Sequence, residues 1–311
     1  EVMSRIGYFI RLRKRVFETL NSERVDLVIP IDYPGFNLRL ARRAHSEGRK
    51  VLYYVAPQVW AWHASRVVDL ARDTDRVGVI LPFEEEFLRT RGVPATFVGH
   101  PLLDVIHPSV GRTAWMMAAG LNPERPLLAL MPGSRRQELR RHLSLFEKSA
   151  REILRHRPDV QVMIGVPAGI PDSIYQQLPF PITRDFRGLL THATAALVKS
   201  GTTTLETALA GTPFVVVYRL NPISYRIAER MVRVPHIALA NLVANERVVP
   251  EFIQDEATPE VLAQSLLPLL DMNSPVRAGM LERLGRTRSL LGGGGATERV
   301  ADIARELLGV R

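Results

Sequence analysis

The stretch Leu128-Ala-Leu-Met-Pro-Gly-Ser-Arg-Arg-Gln-Glu138 decides the fold. Its apolar start predicts a buried strand, which a Pro-Gly-Ser turn ends before a helix opens with two arginines. Gly133 lets a ligand approach the backbone, Ser134 can cap, and a helix start offers unpaired N–H groups and a partial positive charge. The stretch therefore predicts an α/β fold with an anion site at this loop. A structural turn with surface arginines is the alternative.

The same alternation of apolar runs and helical segments continues on both sides of that stretch. Further strands are predicted at 25–30, 51–55, 77–81, 96–99, 160–165, 195–198 and 214–218. Helices are predicted at 38–47, 64–72, 84–91, 114–119, 138–156, 259–270, 276–290 and 297–308. Strands that alternate with helices favour right-handed crossovers and parallel sheets. We therefore predict two doubly wound, Rossmann-like parallel-sheet domains facing an interdomain cleft, with ligands at the carboxyl ends of the strands.

Composition shifts suggest where the domains divide. Residues 1–122 are predicted to form the first α/β domain, 123–290 the second and 291–311 a C-terminal helix, with the linker at 122–126. The four glycines at 292–295 follow no strand and precede no Lys-Ser/Thr pair, which indicates a flexible joint and not a phosphate loop. The chain starts at Glu1 within an amphipathic segment, so we expect a further segment upstream.

Charge and composition exclude several function classes. The 311 residues contain no cysteine and carry a formal net charge of +9, which favours partners rich in phosphate or anionic lipid. The arginines are dispersed and no nucleic-acid reader motif is present, so nucleic acid is disfavoured. No metal-binding motif occurs, and no apolar run is long enough to cross a bilayer. The basic, amphipathic first helix is expected either to pack on the core or to lie on a membrane surface.

A second strand, turn and helix unit lies at Ala196-Leu-Val-Lys-Ser-Gly-Thr-Thr-Thr-Leu-Glu206. The N–H groups and hydroxyls of Ser200, Gly201, Thr202 and Thr203 are predicted to hold a diphosphate. Glu206, on the second helical turn, is placed to accept hydrogen bonds from both hydroxyls of a ribose. The alternative is a capped helix whose glutamate complements the helix dipole.

Four further candidate residues follow strands of the first domain. Asp32 lies at the end of a buried strand, just before a Pro-Gly turn. A carboxylate at such a strand end is expected to face a cleft and to be partly desolvated, so Asp32 is a candidate general base. Trp60 and Trp62 lie in a proline-bearing loop where they either wall a sugar or acyl site or pack internally. For His100, a structural, hydrogen-bonded role is favoured over proton transfer.

Taken in order, seven segments resemble the lipid-A-disaccharide synthase family, bacterial glycosyltransferases of the GT-B type. The matching stretches are 31–37, 54–62, 81–84, 97–100, 131–135 with Glu138, 200–206, and 241–242 with 249–251. They extend over nearly the whole chain, so together they are far more specific than any one alone.

The resemblance implies a metal-free, cofactor-free, inverting reaction. It transfers 2,3-diacylglucosamine from its UDP conjugate to the 6-hydroxyl of 2,3-diacylglucosamine 1-phosphate. In this family Asp32 matches the essential acidic position, Arg135 would stabilise the departing diphosphate, and Glu206 would hold the ribose. Glu138 belongs to the same nucleotide site. Arg219, Asn241 and Glu251 match stretches that border the donor.

The resemblance also implies where the protein works. The first helix matches a region that meets the membrane, which implies a cytoplasmic protein that lies peripherally on the cytoplasmic face of the bacterial inner membrane. The oligomeric state stays open. The family begins with a strand and a Gly-Glu-x-Ser-Gly-Asp loop on the acceptor side, and this chain starts after it. Two other functions stay open: a UDP-GlcNAc epimerase of the same fold, or an inactive fragment that binds UDP or anionic lipid.

Overall fold

The computed structural model describes residues 6–61, 65–105, 110–221, 225–226 and 235–310. The chain divides into two compact units. The N-terminal unit comprises Glu1–Gly99 together with Gly295–Arg311, and the C-terminal unit comprises His100–Gly294. The division therefore lies at Gly99 and not at the expected 122–126 linker, and the last helix belongs to the N-terminal unit.

The N-terminal unit is a four-stranded parallel sheet whose strand order follows the chain, β1-β2-β3-β4. Its elements are α1 (Ile6–Ser22), β1 (Leu27–Val28), α2 (Pro34–Ser46), β2 (Lys50–Tyr54), α3 (Arg66–Asp73), β3 (Arg76–Val79), α4 (Pro82–Arg89), β4 (Ala95–Phe97) and the C-terminal helix, which we number α12 (Ala296–Leu308). The sheet places the loops after β1 and β2 at one edge, because parallel strands end together.

Both faces of this sheet are covered, and β2 shows how. Side chains alternate along a strand, so Val51 and Tyr53 pack in one core cluster while Leu52 and Tyr54 pack in another. The second cluster includes Val300 of α12. A Cβ at Gly78 would lie at ordinary contact distance, 3.4 Å from Tyr54 and 3.8 Å from Val300, so α12 packs close to β3 at this point. This packing explains why the last helix joins the N-terminal unit.

The C-terminal unit is a six-stranded parallel sheet with helices on both faces. Its elements are α5 (Arg112–Ala118), β5 (Leu127–Met131), α6 (Arg136–His156), β6 (Gln161–Gly165), β7 (Ile182–Thr183), α7 (Phe186–His192), β8 (Ala195–Lys199), α8 (Thr202–Leu209), β9 (Phe214–Tyr218), α9 (Leu239–Ala244), β10 (Glu251–Ile253), α10 (Pro259–Leu270) and α11 (Pro275–Leu290). Helix α5 belongs here because Trp115 and Met116 are buried in this core.

The strand order of this sheet is β10-β9-β8-β5-β6-β7. The chain runs outward from β5 to β7 and then returns to β8, which pairs with the other side of β5. The order therefore reverses between β5 and β8, and such a switch point is where doubly wound sheets bind ligands. The two predicted nucleotide segments follow these two strands. The short elements β7, α7, α9 and β10 were not predicted.

Candidate functional sites

Two loops meet the switch point of the C-terminal sheet, and we call residues 132–138 and 199–206 the nucleotide loops. Each turns on a glycine with a conformation that other residues rarely adopt: Gly133 has φ 128° and Gly201 has φ 156° and ψ −163°. A Cβ at Gly133 would lie 2.8 Å from the Cβ of Glu138. The glycine therefore lets the first loop fold back against the start of α6.

Glu138 holds the first nucleotide loop in place. Its carboxylate accepts hydrogen bonds from the backbone N–H of Ser134 at 2.9 Å and of Arg135 at 3.2 Å. It also accepts from the ammonium group of Lys199 at 2.9 Å, across from the other loop. Burial raises the pKa of Glu138, but the bonds from Lys199 and Ser134 outweigh it and keep the pKa below its usual value. The carboxylate is thus charged and shapes the loop.

The two cations beside Glu138 differ in exposure. The Arg135 side chain is 74% exposed and pairs with Glu138 at 3.2 Å, whereas that of Lys199 is only 15% exposed. Lys199 also lies 5.9 Å from the ring centre of Tyr218. Arg135 is therefore free to turn toward an anionic ligand, while Lys199 links β8 to the first loop. Sequence reasoning gave Lys199 no role, although it ends a strand at the switch point.

A buried histidine, which sequence reasoning also missed, joins this loop to β9. The Nδ1 atom of His142 lies 2.8 Å from the carbonyl oxygen of Glu138, and its Nε2 accepts from the backbone N–H of Arg219 at 3.3 Å. Burial lowers the pKa of His142, so the ring is neutral with its proton on Nδ1. Its imidazole fixes the spacing between α6 and β9.

Arg219 lies next to this histidine but points elsewhere. Its guanidinium donates to the carbonyl oxygens of Gln254 at 3.2 Å and Ala257 at 2.6 Å. The side chain of Gln254 in turn accepts from the N–H of Leu220 at 2.7 Å. Arg219 therefore holds the turn after β10. Its guanidinium is already engaged there, so only its position in the chain supports the predicted place beside the donor.

The second nucleotide loop combines buried and exposed hydroxyls. Ser200 is buried and donates to the carbonyl oxygen of Ile237 at 3.2 Å, while Thr202 is exposed. Thr203 is half-buried and its carbonyl oxygen accepts from Thr207 at 2.7 Å. Among these residues, Thr202 and the first N–H groups of α8 are open to a ligand.

Glu206 lies one turn further along α8 and lines a cavity with Leu102, Phe186 and Arg187. Its carboxylate has no hydrogen-bond partner among the residues that the structure describes. Burial raises the pKa of this carboxyl above its usual value, and Arg187 opposes the shift. A half-buried acceptor without a partner fits the predicted hydrogen bonds to a diol.

Asn241 and Glu251 lie behind the nucleotide loops, where both are fully engaged. Asn241 is completely buried; its amide donates to Val249 O at 2.9 Å and to Glu251 at 2.8 Å, and its oxygen accepts from Val249 N at 2.9 Å. Glu251 also accepts from the N–H of Ala238, at 2.8 Å, at the start of α9. These side chains fix α9 against β10, so any role at the donor site is indirect.

In the N-terminal unit, residues 31–37 form what we call the Asp32 turn. The backbone N–H of Asp32 donates to Tyr54 O at 3.0 Å, and its carbonyl accepts from the Tyr53 hydroxyl at 2.8 Å and the Asn37 amide at 2.7 Å. Burial, with the nearby Asp32 carboxylate, raises the pKa of Tyr53, so its hydroxyl stays protonated as a donor. These bonds leave the Asp32 carboxylate exposed, where the sequence predicted partial desolvation.

The backbone of this turn is strained. Asp32 and the next residue, Tyr33, have φ values of 49° and 44°, and neither is glycine. Such a conformation costs on the order of 1–2 kcal/mol per residue and persists only where surrounding contacts hold it. Strain of this kind gathers at functional positions, which supports the candidate role of Asp32.

An apolar groove, which we call the α1–α2 groove, runs beside the Asp32 turn. It has a volume of about 300 Å³. Its walls are Phe9, Ile10, Arg13, Phe17, Tyr33, Gly35, Phe36, Arg39 and Leu40. The rings of Phe9 and Tyr33 stack at 5.8 Å with an angle of 16° between their planes. Arg13 and Arg39 are exposed and form no ion pair within the described part of the chain. Sequence reasoning identified α1 but not this groove.

The loop after β2 brings Trp60 to Glu84. The indole N–H of Trp60 donates to the Glu84 carboxylate at 2.9 Å, and its ring packs edge-on against Phe83 at 5.1 Å. Glu84 is 2% exposed, and burial raises its pKa to about 7. Trp60 is thus anchored by a buried carboxyl. Trp62, the other predicted wall of this loop, lies outside the described residues.

His100 is buried at the start of the C-terminal unit. Its Nδ1 accepts from the N–H of Leu102 at 3.2 Å, and burial lowers its pKa to about 4. The ring is therefore neutral and caps the short helix that follows. Within the described ranges, no cluster of three His, Cys, Asp or Glu side chains is arranged to hold a metal ion. No helix in those ranges is long and apolar enough to cross a bilayer.

Solved structures share the fold at low sequence identity. The UDP-GlcNAc 2-epimerase from Neisseria meningitidis bound to UDP-GlcNAc matches with a TM-score of 0.67 and 12% identity, over 96% of this chain and 81% of that one. The glycotransferase of kitacinnamycin matches with a TM-score of 0.62 and 15% identity, over 99% and 83%. These likenesses, with the two parallel-sheet units, confirm the predicted GT-B fold.

Sequence comparison is far more specific. The protein is 40% identical to the lipid-A-disaccharide synthase of Geobacter sulfurreducens, over 99% of this chain and 82% of that protein. It is 36% identical to the lipid-A-disaccharide synthase of Nitrosococcus oceani, over 99% and 81%. The family model described as lipid-A-disaccharide synthetase matches residues 1–283. The chain belongs to the lipid-A-disaccharide synthetase family.

Proposed function

We propose that this protein transfers 2,3-diacylglucosamine from its UDP conjugate to the 6-hydroxyl of 2,3-diacylglucosamine 1-phosphate. The products are a lipid A disaccharide and UDP, with inversion at the anomeric carbon. The bond between that carbon and the β-phosphate oxygen breaks, a bond to the acceptor oxygen forms, and the hydroxyl proton passes to a base. The observation that carries the proposal is the family match over residues 1–283, which takes in the nucleotide loops and the Asp32 turn.

The nucleotide loops support the donor half of this proposal. Diphosphate charge grows as UDP departs, and preorganised N–H groups and cations stabilise such charge without reorganisation. We assign this role to the starts of α6 and α8 and to Arg135, whose side chain is 74% exposed beside the first loop. Glu206, with a carboxylate that lacks a partner among the described residues, is assigned to the ribose hydroxyls.

The Asp32 turn supports the acceptor half. An inverting transfer needs a base that takes the proton of the attacking hydroxyl. The Asp32 carboxylate is exposed, while its backbone is fixed by Tyr53, Asn37 and Tyr54. We assign it as the base or as the group that orients the acceptor hydroxyl.

Helix α1 supports a peripheral membrane location. Tyr8 and Ile10 are each 55% exposed, and Arg11, Lys14 and Arg15 are exposed on the same helix. A helix that presents apolar and basic side chains together binds anionic interfaces. We expect the protein to sediment with vesicles containing phosphatidylglycerol and not with pure phosphatidylcholine, and Arg11→Glu/Arg15→Glu to weaken that binding. Equal binding to both vesicles would remove the charge argument.

A UDP-release assay tests the activity. We expect release only when both the acylated donor and the acylated acceptor are present, with a disaccharide of the corresponding mass as product. UDP-GlcNAc alone is the matched control. Conversion of that compound without an acceptor would replace the proposal with an epimerase. UDP binding without turnover on the acylated pair would reduce the protein to a nucleotide-binding one.

A further inference from the structure

Tyr33 lies between the candidate base and the α1–α2 groove. We propose that Tyr33 is a positioning residue, which couples the filling of that groove by an acyl chain of the acceptor to the placement of the Asp32 carboxylate. The inference rests on the proposed function and adds to it a reason why acylation would raise the turnover rate as well as the affinity. It concerns the N-terminal unit alone.

The coupling follows from the position of Tyr33 in the chain. Its ring stacks on Phe9 at 5.8 Å and forms part of the groove wall, while its backbone follows directly after Asp32 in the chain. Both residues have positive φ, at 44° and 49°. In this proposal, a ligand that presses on the Tyr33 ring acts on the backbone next to Asp32. No side chain other than that of Tyr33 belongs to this strained pair and also lines the groove.

The backbone of the strained pair is held by hydrogen bonds, whereas the Tyr33 ring is half exposed. On the sheet side, the Asp32 backbone is held by the Tyr53 hydroxyl at 2.8 Å and the N–H to Tyr54 O bond at 3.0 Å. Toward α2, the Asn37 amide donates to Asp32 O at 2.7 Å and its backbone N–H to Tyr33 O at 3.1 Å. The Tyr33 ring stacks on Phe9 and is 50% exposed. Residues with positive φ relax unless contacts hold them. A ligand in the groove would cover the exposed part of the Tyr33 ring.

The groove fits an acylated sugar phosphate, with an acyl chain on its apolar wall and the phosphate near its arginines. The rings of Phe9, Phe17 and Phe36 provide apolar walls, and the volume of about 300 Å³ lies at the lower end of small-molecule pockets. Arg13 and Arg39 line the same groove, exposed and without ion pairs among the described residues. Unpaired guanidinium groups beside an apolar wall complement an acylated sugar phosphate. The acceptor is assigned because Asp32 acts on its hydroxyl.

Steady-state kinetics with two acceptors, one with long and one with short acyl chains, test the coupling. In the unaltered protein we expect kcat to be about tenfold higher with the long chains. Tyr33→Ala is expected to abolish that ratio, and Tyr33→Phe to keep it, because only the ring is needed. Phe17→Ala removes a ring from the same apolar wall without touching Asp32. We expect this variant to raise the KM for the long-chain acceptor and to retain the kcat ratio.

Tyr33→Gly separates the ring from the backbone. Glycine adopts positive φ without strain, so this variant folds, yet it lacks the ring. We expect it to lose the kcat ratio as Tyr33→Ala does. A Tyr33→Gly protein that keeps the ratio, or a Tyr33→Ala protein that lowers kcat equally for both acceptors, would overturn the coupling. Absence of UDP release from the unaltered protein would instead refute the proposed function.

Discussion

The nucleotide loops and the Asp32 turn are built in opposite ways. Around the nucleotide loops, buried polar groups are already paired: Glu138 with Lys199, His142 between two backbone groups, and Asn241 with Glu251. At the Asp32 turn, the backbone is strained and the carboxylate is exposed beside an open apolar groove. The comparison supports a proposed donor site whose polar groups are paired without a ligand, and a proposed acceptor site that a ligand would complete.

The largest expected effect comes from the exposed carboxylate. Asp32→Asn should lower kcat by about a thousandfold, because general base catalysis contributes roughly 10²–10⁴-fold. Stability should change little, since the carboxylate makes no contact in the described structure. Steady-state UDP release measures the effect, and Asp302→Asn, on an exposed side chain of α12, is the control. A kcat within threefold of the unaltered value would remove Asp32 from the chemistry.

The next largest effect concerns the pH dependence of stability that the buried Glu84 confers on the N-terminal unit. Burial raises the pKa of Glu84 to about 7 from an ordinary 4.5, so the native state holds its proton at higher pH than the unfolded state. Stability from this group is therefore complete below about pH 4.5 and falls by about 3 kcal/mol as pH rises toward 7.

Urea unfolding at pH 5 and pH 8 measures this change. Glu84→Gln mimics the protonated form, so the variant should gain stability relative to the unaltered protein as the pH rises. Indole emission should shift over the same interval, because Trp60 donates to this carboxyl at 2.9 Å. A stability difference independent of pH would show that Glu84 is already ionised in the native state.

A smaller loss of stability is expected behind the nucleotide loops. Asn241→Ala leaves the buried N–H and carbonyl of Val249 without partners and removes a donor from Glu251. Unpaired buried polar groups cost about 1–3 kcal/mol, and we expect about 2 kcal/mol from urea midpoints. Asn273→Ala, on an exposed side chain, is the control. A loss below 0.5 kcal/mol, on the order of an ordinary surface change, would contradict a preorganised donor side.

The smallest effect concerns charge at the nucleotide loops. Lys199→Met leaves the exposed Arg135 as the remaining cation beside Glu138 and the proposed diphosphate, so we expect the donor KM to rise about tenfold, or about 1.4 kcal/mol. Glu138→Gln in the same protein should recover part of that loss by removing the negative charge. Lys148→Met, an exposed position on α6, serves as control. An unchanged donor KM in Lys199→Met would break the charge argument.

Sequence reasoning predicted most of the regular structure and less of the site. The strand Phe214–Tyr218 and the helix Pro259–Leu270 have the predicted bounds, because buried parallel strands and capped helices carry local patterns. Edge strands β7 and β10 were missed, since two or three residues show no period. The nucleotide loops follow β5 and β8 at the switch point, as the sequence predicted, whereas the contacts of Lys199, His142 and Tyr33 were not predicted.

By itself, the sequence determined the α/β alternation, the glycine turns at 133 and 201, and the family, because each of these depends on residues close together in the chain or on their order. The tertiary structure decided which polar side chains are already hydrogen-bonded within the protein. Lys199 meets Glu138 across 61 residues, and Tyr53 fixes Asp32 across 21. Such contacts decide that Glu138 and Asn241 stabilise the fold while Asp32 and Glu206 remain open to ligands. The physical reason is that hydrogen-bond saturation and backbone strain arise from packing between distant segments, which no local pattern encodes.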